Sequence, residues 1–194
     1  MSAVDFAPEL LEPAQFTRHR VTVADYHRMA EAGVLAPDAR VELIEGEVID
    51  MAPMGTRHWH AVQRLNRLLL LATLDRAEVA CQLPLRLGDF SEPEPDAVVF
   101  RPLLSADSLP TGRDALLVVE VSDSTLSFDA RIKAELYARH GVLEYWVVDL
   151  VQQRLLRFAD AQDGQWQTAQ ALPRPTLVGL PGLDDVQVDL GPLF

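Results

Sequence analysis

The sequence predicts an α/β domain in which helices flank a mixed central β-sheet. Three observations carry that prediction. Short aliphatic and β-branched runs are interleaved with amphipathic helical patterns. The run Leu116, Leu117, Val118, Val119 is apolar without alternation, as a central strand covered on both faces requires. Pro, Gly and Asp turn signals separate the runs. With 194 residues, 48% hydrophobic and 24% charged, the chain has the length and composition to close one core.

Each element has its own local reason. Residues 1–20, with Pro8 and Pro13, read as an extended arm that offers no chemistry. Thr22 followed three residues later by Asp25 marks a helix N-cap, and Gly33 stops that helix. Residues 41–50 read as two short strands folded about Glu45-Gly46, after which Pro53 and Gly55 break the second strand. Over 56–74, Val62, Leu65, Leu69 and Ala72 recur at spacings of three and four, which predicts an amphipathic helix. Residues 78–87, 97–100 and 115–121 read as strands. A third helix follows over 128–140, with Phe128, Ile132 and Leu136 on its buried side and Gly141 as its stop. Strands over 145–150 and 154–158 complete the sheet, and the remainder, with Pro173, Pro175, Pro181 and Pro192, reads as a peripheral extension. The expected division is an arm over 1–20, a folded core over 21–159 and a C-terminal extension over 160–194 packed on it.

Composition removes several function classes. The apolar run over 68–72 is five residues long, far short of the eighteen or so that a membrane span needs. The first seventeen residues hold neither a basic residue nor an apolar block, so no leader is visible and the expected location is cytoplasmic. Cys81 stands alone, which excludes an intrachain disulfide and a cysteine-held zinc and leaves it as a core thiol. Seventeen basic against twenty-nine acidic residues give a net charge of −12, which argues against unspecific adhesion to nucleic acid or anionic lipid. Sixteen of the basic residues are Arg; the single lysine is Lys133.

Two carboxylates attract attention. Asp96 stands at the start of one predicted strand and Glu120 closes the apolar run of its neighbour, so both emerge at strand ends that can lie side by side. Hard cations such as Mg²⁺ or Mn²⁺ prefer such oxygen ligands; two solvated turn residues are the plainer reading. Glu120 follows four aliphatic residues, so its carboxylate must be exposed by geometry, paired or bound to a cation. Asp129, Lys133 and Tyr137 fall at i, i+4 and i+8 and share a helix face bordering the buried stripe, which either turns Lys133 toward the sheet or leaves an ordinary Asp129–Lys133 surface pair. Arg57, His60, Arg64 and Arg67 form the one basic stripe, readable as a track for a phosphate backbone or as a solvated helix face.

Taken together, Val119-Glu120-Val121-Ser122-Asp123-Ser124-Thr125, then Asp129, Lys133 and Tyr137, then Gly141-Val142 and Glu144-Tyr145-Trp146-Val147-Val148-Asp149 resemble the Uma-type family of restriction endonucleases, within the PD-(D/E)XK nuclease superfamily. Glu42-Leu43-Ile44-Glu45-Gly46-Glu47, His58 and Pro95-Asp96 extend the likeness over 21–158. The resemblance implies a restriction-endonuclease-like core and a Mg²⁺- or Mn²⁺-dependent endonuclease acting on DNA. It implies that Asp96, Glu120 and the carbonyl of Val121 hold the metal, which orients and acidifies a water. The superfamily lysine two residues after the glutamate is replaced by Ser122, and Lys133 on the following helix takes its part. Glu42 resembles an additional acidic residue for a second ion or its water, or is a solvent-facing strand residue. His58 matches a family position or is a hydrogen-bonded core residue. A homodimer would supply two sites for two strands. Two other readings stand beside this one: an inactive nuclease fold that binds a protein partner or nucleic acid, and a hydrolase for small phosphate esters.

Overall fold

In the computed structural model, which describes residues 17–102 and 110–194, Thr22 opens the first helix, α1 (Val23–Glu31). Its hydroxyl accepts the Asp25 N–H at 3.1 Å and donates to the Asp25 carboxylate at 2.6 Å, which satisfies one of the helix's free amides. Most of the expected arm, residues 1–16, lies outside the described residues. β1 (Val41–Ile44) and β2 (Glu47–Asp50) pair as an antiparallel hairpin. Glu45 and Gly46 both take positive φ, 54° and 84°, the conformation a two-residue hairpin turn demands. A Cβ on Gly46 would also meet Arg20 Cβ at 2.6 Å, so the site is closed to larger residues twice over.

The main sheet has six strands in the order β3-β4-β5-β6-β7-β8: Glu78–Ala80, Ala97–Phe100, Ala115–Ser122, Glu144–Asp149, Arg154–Gln162 and Gln165–Pro173. Only β5 and β6 run parallel, so the sheet is mixed as expected. Alternation along β6 divides the interior. Trp146 and Val148 pack toward α2 (Thr56–Thr73), whose Ala61, Val62, Leu65 and Leu69 are buried, while Tyr145 and Val147 pack toward the third helix. Burial of β5 and β6 on both faces explains the continuous apolar runs of their sequences. None of the described helices is long and apolar enough to cross a membrane.

Three expectations are corrected. The strand expected over 78–87 ends at Ala80, because Gln82 takes a φ of 51° and Pro84 follows. Its distal half runs instead along the chain before β4: Leu85 and Leu87 donate to the carbonyls of Pro93 and Ser91, both at 2.9 Å. The third helix begins as a π-helical turn (Phe128–Lys133) and continues as α3 (Ala134–Arg139). Its inward face is the polar set Asp129, Lys133 and Tyr137, with Leu136, whereas Ile132 is 46% exposed. Hydrophobic periodicity ranks a lysine as outward, so it could not see a face whose polar groups satisfy one another. Finally, the sheet does not end at 158. β7 runs on to Gln162, β8 adds the sixth strand, and β9 (Leu177–Leu180) with β10 (Leu183–Asp189) forms a hairpin against α2. The late prolines punctuate strands rather than exclude them, and Val178, Val186, Val188, Leu190 and Leu193 belong to the core beneath α2.

Two outcomes follow from this packing. Leu190 is 0% exposed, so Leu190→Ala costs about 2–5 kcal/mol, seen as a lower urea midpoint at unchanged slope; a surface extension would lose no more than about 0.5 kcal/mol. Burial pushes the Cys81 thiol up to about 11. At pH 8 its alkylation is therefore about tenfold slower in the folded chain than in urea, the loss of thiolate being partly offset by greater nucleophilicity.

Candidate active site

The site grows from the pairing of β4 with β5. Their antiparallel register sets Ala97 against Val119, which brings the preceding Asp96 to the end of β5. There Asp96 Oδ2 accepts the Val121 N–H at 2.7 Å, in effect extending the ladder with a side chain. Asp96 Oδ1 lies 2.9 Å from His58 Nε2, carried by the first turn of α2. That hydrogen bond holds the His58 imidazole above its ordinary pKa although burial opposes it. His58 is thus joined to the carboxylate cluster.

Alternation on β5 decides where Glu120 goes. Val119 and Val121 face α2, so Glu120 faces the third helix. Lys133 Nζ meets it there, 2.8 Å from Glu120 Oε1, and also lies 3.1 Å and 3.0 Å from the two oxygens of Glu42 on β1. Tyr137 donates its hydroxyl to the same Glu120 oxygen at 3.0 Å. The Glu94 N–H donates to Glu42 Oε1 at 3.0 Å, whereas Glu42 Oε2 accepts no hydrogen bond of good geometry. One turn earlier, Thr125 donates to the Asp129 carboxylate, and Tyr145 donates to the Asp129 carbonyl at 3.1 Å.

These groups are deeply buried, with Lys133 1% and Glu120 5% exposed. Burial alone would depress the Lys133 ammonium, but Glu120 and Glu42 outweigh it and hold Lys133 above its ordinary value, so the side chain stays charged. Burial pushes the Glu120 carboxyl well above the usual range despite Lys133, with Asp96, Asp129 and Glu42 adding to the rise. Burial raises Asp129 and Glu94 as well. All these residues line one cavity of about 280 Å³, into which Asp123, Arg40 and His58 also face. Six carboxylates share it with two permanent cations, Arg40 and Lys133.

The structure therefore brings together Asp96, Glu120, Val121, Glu42 and Lys133, the residues singled out from sequence for metal and catalysis. The basic stripe lies elsewhere. Arg57 donates to the Leu150 carbonyl and pairs with Asp123 at 3.4 Å on the cavity rim, while Arg64 donates to the Pro192 carbonyl at 3.1 Å. Arg57, His60 and Arg64 line a separate groove closed by Leu193 and Phe194, and Arg67 projects from the exposed side of α2. Sequence reasoning missed Arg40 and Glu94. For Glu94 a signal existed: Pro93 and Pro95 on either side fix its backbone, and its amide steadies Glu42. Among the described residues no three His, Cys, Asp or Glu side chains already form a metal cage. The donor set nevertheless suits a hard divalent ion that keeps several waters, since it offers oxygen ligands, a buried Glu42 oxygen that accepts no well-directed hydrogen bond although Lys133 Nζ lies 3.0 Å away, and more carboxylates than cations.

A mixed sheet with carboxylates at two adjacent strand ends, facing a lysine from the next helix, has the restriction-endonuclease-like architecture. The chain belongs to the Uma2 family, described as "Putative restriction endonuclease", whose model matches residues 23–191. Among solved structures it is similar to a protein from Anabaena variabilis ATCC 29413 described as a "putative nuclease belonging to DUF820", with a TM-score of 0.70 and 16% sequence identity. The likeness covers 90% of this chain and 97% of that one, and it shows a shared fold. No curated protein matches the chain.

Removing the ammonium leaves buried carboxylates without a counter-charge. Lys133→Met therefore lowers unfolding free energy by about 3–5 kcal/mol at pH 8. Glu120 binds its proton more tightly in the folded than in the unfolded chain even with Lys133 in place, and removal of the ammonium adds to that rise, so the variant's stability falls more steeply as pH rises above the ordinary Glu value of 4.5. The raised Lys133 of the native chain has the same sign in a higher window: its contribution is fully present below 10.5, and so at both pH 5 and pH 8, and is lost only as pH rises through the higher folded value. Urea titrations of both chains should accordingly differ less at pH 5 than at pH 8.

Proposed function

We propose that the chain is a Mg²⁺- or Mn²⁺-dependent endonuclease that hydrolyses phosphodiester bonds of DNA. The observation that carries the reading is the buried Lys133–Glu120 pair, at 2.8 Å, sharing one cavity with Asp96. Asp96, Glu120 and the Val121 carbonyl would hold the ion, with Glu42 the added acid beside them. When bound, such an ion lowers the pKa of water and offsets charge on the phosphate.

The chain's own residues do the rest. Two of the three Nζ donors of Lys133 are spent on Glu120 and Glu42, which fixes the ammonium and leaves one donor for a phosphate oxygen or an attacking water. Tyr137 pins the same Glu120 oxygen, so the carboxylate cannot swing away. His58 orients Asp96 and, with its pKa raised, holds a proton at Nε2 within the cavity. Arg57 supplies positive charge at the rim, where the polyanion would enter. A binding module built on the same fold is the second reading. It is favoured by the acidic lining and by the commitment of Arg57 and Arg64 to internal carbonyls.

Calorimetric titration with Mg²⁺ and Mn²⁺, run beside plasmid nicking at low salt, tests the proposal. Native protein should bind the ion and nick DNA, and Asp96→Ala and Glu120→Ala should lose both. Lys133→Arg, which keeps the charge but not the compact ammonium, should retain ion binding and nick about a hundredfold more slowly. Ion binding without nicking would favour the module, and absence of ion binding in the native chain would end the metal reading.

A further inference from the structure

The two edges of the main sheet are protected very differently. β3 is three residues long and opens on Glu78, so brevity and charge blunt it. β8, the opposite edge, is nine residues long, and none of them is buried. Its sequence, from Gln165 through Trp166, Thr168, Ala169 and Ala171 to Pro173, contains no charged residue, although the chain carries −12. Hydrogen bonds hold β8 to β7 along its inner side. On the outer side nothing among the described residues pairs with it. A strand of this length presents roughly 30 Å of open backbone.

We propose that β8 pairs antiparallel with β8 of a second copy of this chain, joining two six-stranded sheets across a twofold axis. Three features select that occupant. Antiparallel pairing of a strand with itself is isologous, so each residue meets its own mate's counterpart and the patch is complementary to itself by construction. Copies bearing −12 repel one another over most of their surface, whereas none of the nine residues of β8 is charged and the nearest carboxylate, Asp160 of β7, is held at 2.8 Å by the Thr168 hydroxyl. Its exposed side chains are Gln, Ala and Pro; centred on Ala169, the pairing sets Gln167 opposite Ala171 and Ala169 opposite itself, small uncharged neighbours that bring no like charges together. Asp163 in the hairpin turn and Arg174 beyond the strand confine charge to the two ends, where antiparallel pairing sets Asp163 of one copy near Arg174 of the other. The cavity holding Glu120 stays open, since β5 lies three strands inward. The inference stands apart from the nuclease reading and does not depend on it.

Sedimentation velocity over about 1 to 200 µM, where a small interface dissociates, reads the association directly. Native chain should move from monomer to dimer across that range. Ala169→Lys with Ala171→Lys should remain monomeric throughout, and Ala169→Ser with Ala171→Ser should associate as the native chain does. Hydrogen exchange of the native protein gives a reading free of folding effects: amides over 165–173 should gain at least tenfold protection at the highest concentration and none at the lowest. A monomer at every concentration overturns the proposal. So does a dimer that survives the lysine pair with native circular dichroism, which would place the interface elsewhere. Protection of β8 that does not vary with concentration would mean the chain covers its own edge, and also overturns it.

Discussion

One ammonium ties three separate parts of the molecule together. Lys133 enters from the π turn, Glu120 from β5 and Glu42 from β1, and the hairpin, the sheet and the helix meet at that point. Burying three charges costs several kcal/mol per ion, and the attraction repays it only when geometry and further hydrogen bonds are good. Here they are supplied by Tyr137 on Glu120 and by the Glu94 amide on Glu42. A well-packed set of apolar side chains would fill the same volume at no such cost. The arrangement is therefore poorly explained by stability and better explained by the chemistry it holds ready in the cavity.

That balance accounts for which parts were legible in the sequence. The capping of α1 by Thr22, the Glu45-Gly46 turn and the buried stripe of α2 follow local rules that no tertiary contact overrides, and each formed where expected. The site residues Asp96, Glu120 and Lys133 were legible because a carboxylate after four aliphatic residues and a lone lysine are costly choices that require a partner. The inward face of the third helix was legible only in part: the i, i+4, i+8 spacing groups Asp129, Lys133 and Tyr137 beside the buried stripe and leaves two readings of Lys133 open, while the same periodicity predicts a buried Ile132, which is exposed. Its Asp129, Lys133 and Tyr137 are buried by mutual satisfaction with groups up to ninety-one positions away, as with Lys133 and Glu42, and no local pattern encodes that. β8, β9 and β10 were missed because their half-exposed strands read as loops when prolines are counted as breakers.

Electrostatics acts on two scales in this chain. Locally, six carboxylates share a cavity with two permanent cations, and the carboxyls of Glu120, Asp129 and Glu94 are raised first by burial and then by one another. Globally, the surface bears −12. A polyanionic substrate would meet resistance on both scales, and Arg40 in the cavity lining and Arg57 on its rim donate to the protein's own carbonyls, those of Ala52 and Leu150. On the proposed reading, charge compensation on a phosphate would come chiefly from bound cations rather than from side chains. The proposed divalent requirement and the shortage of free basic residues are in that sense one property.

The π turn shows how the fold turns Lys133 back to the end of β5, where it meets Glu120. Ser122 ends β5, and the chain reverses at Thr125, whose carbonyl accepts both the Phe128 and the Asp129 amides. In an α-helix, positions i, i+4 and i+8 drift by about 40° per step, so a third member of such a series swings away from the wall the first one touched. The wider π turn over Phe128–Lys133 takes that drift back before α3 begins. Asp129, Lys133 and Tyr137 consequently all stay on the sheet side, two of them on the same Glu120 oxygen. On the reading that Lys133 takes the part of a lysine at position 122, eleven residues earlier, the change of helix type is what turns it toward the sheet, and π turns of this kind are frequent at functional sites.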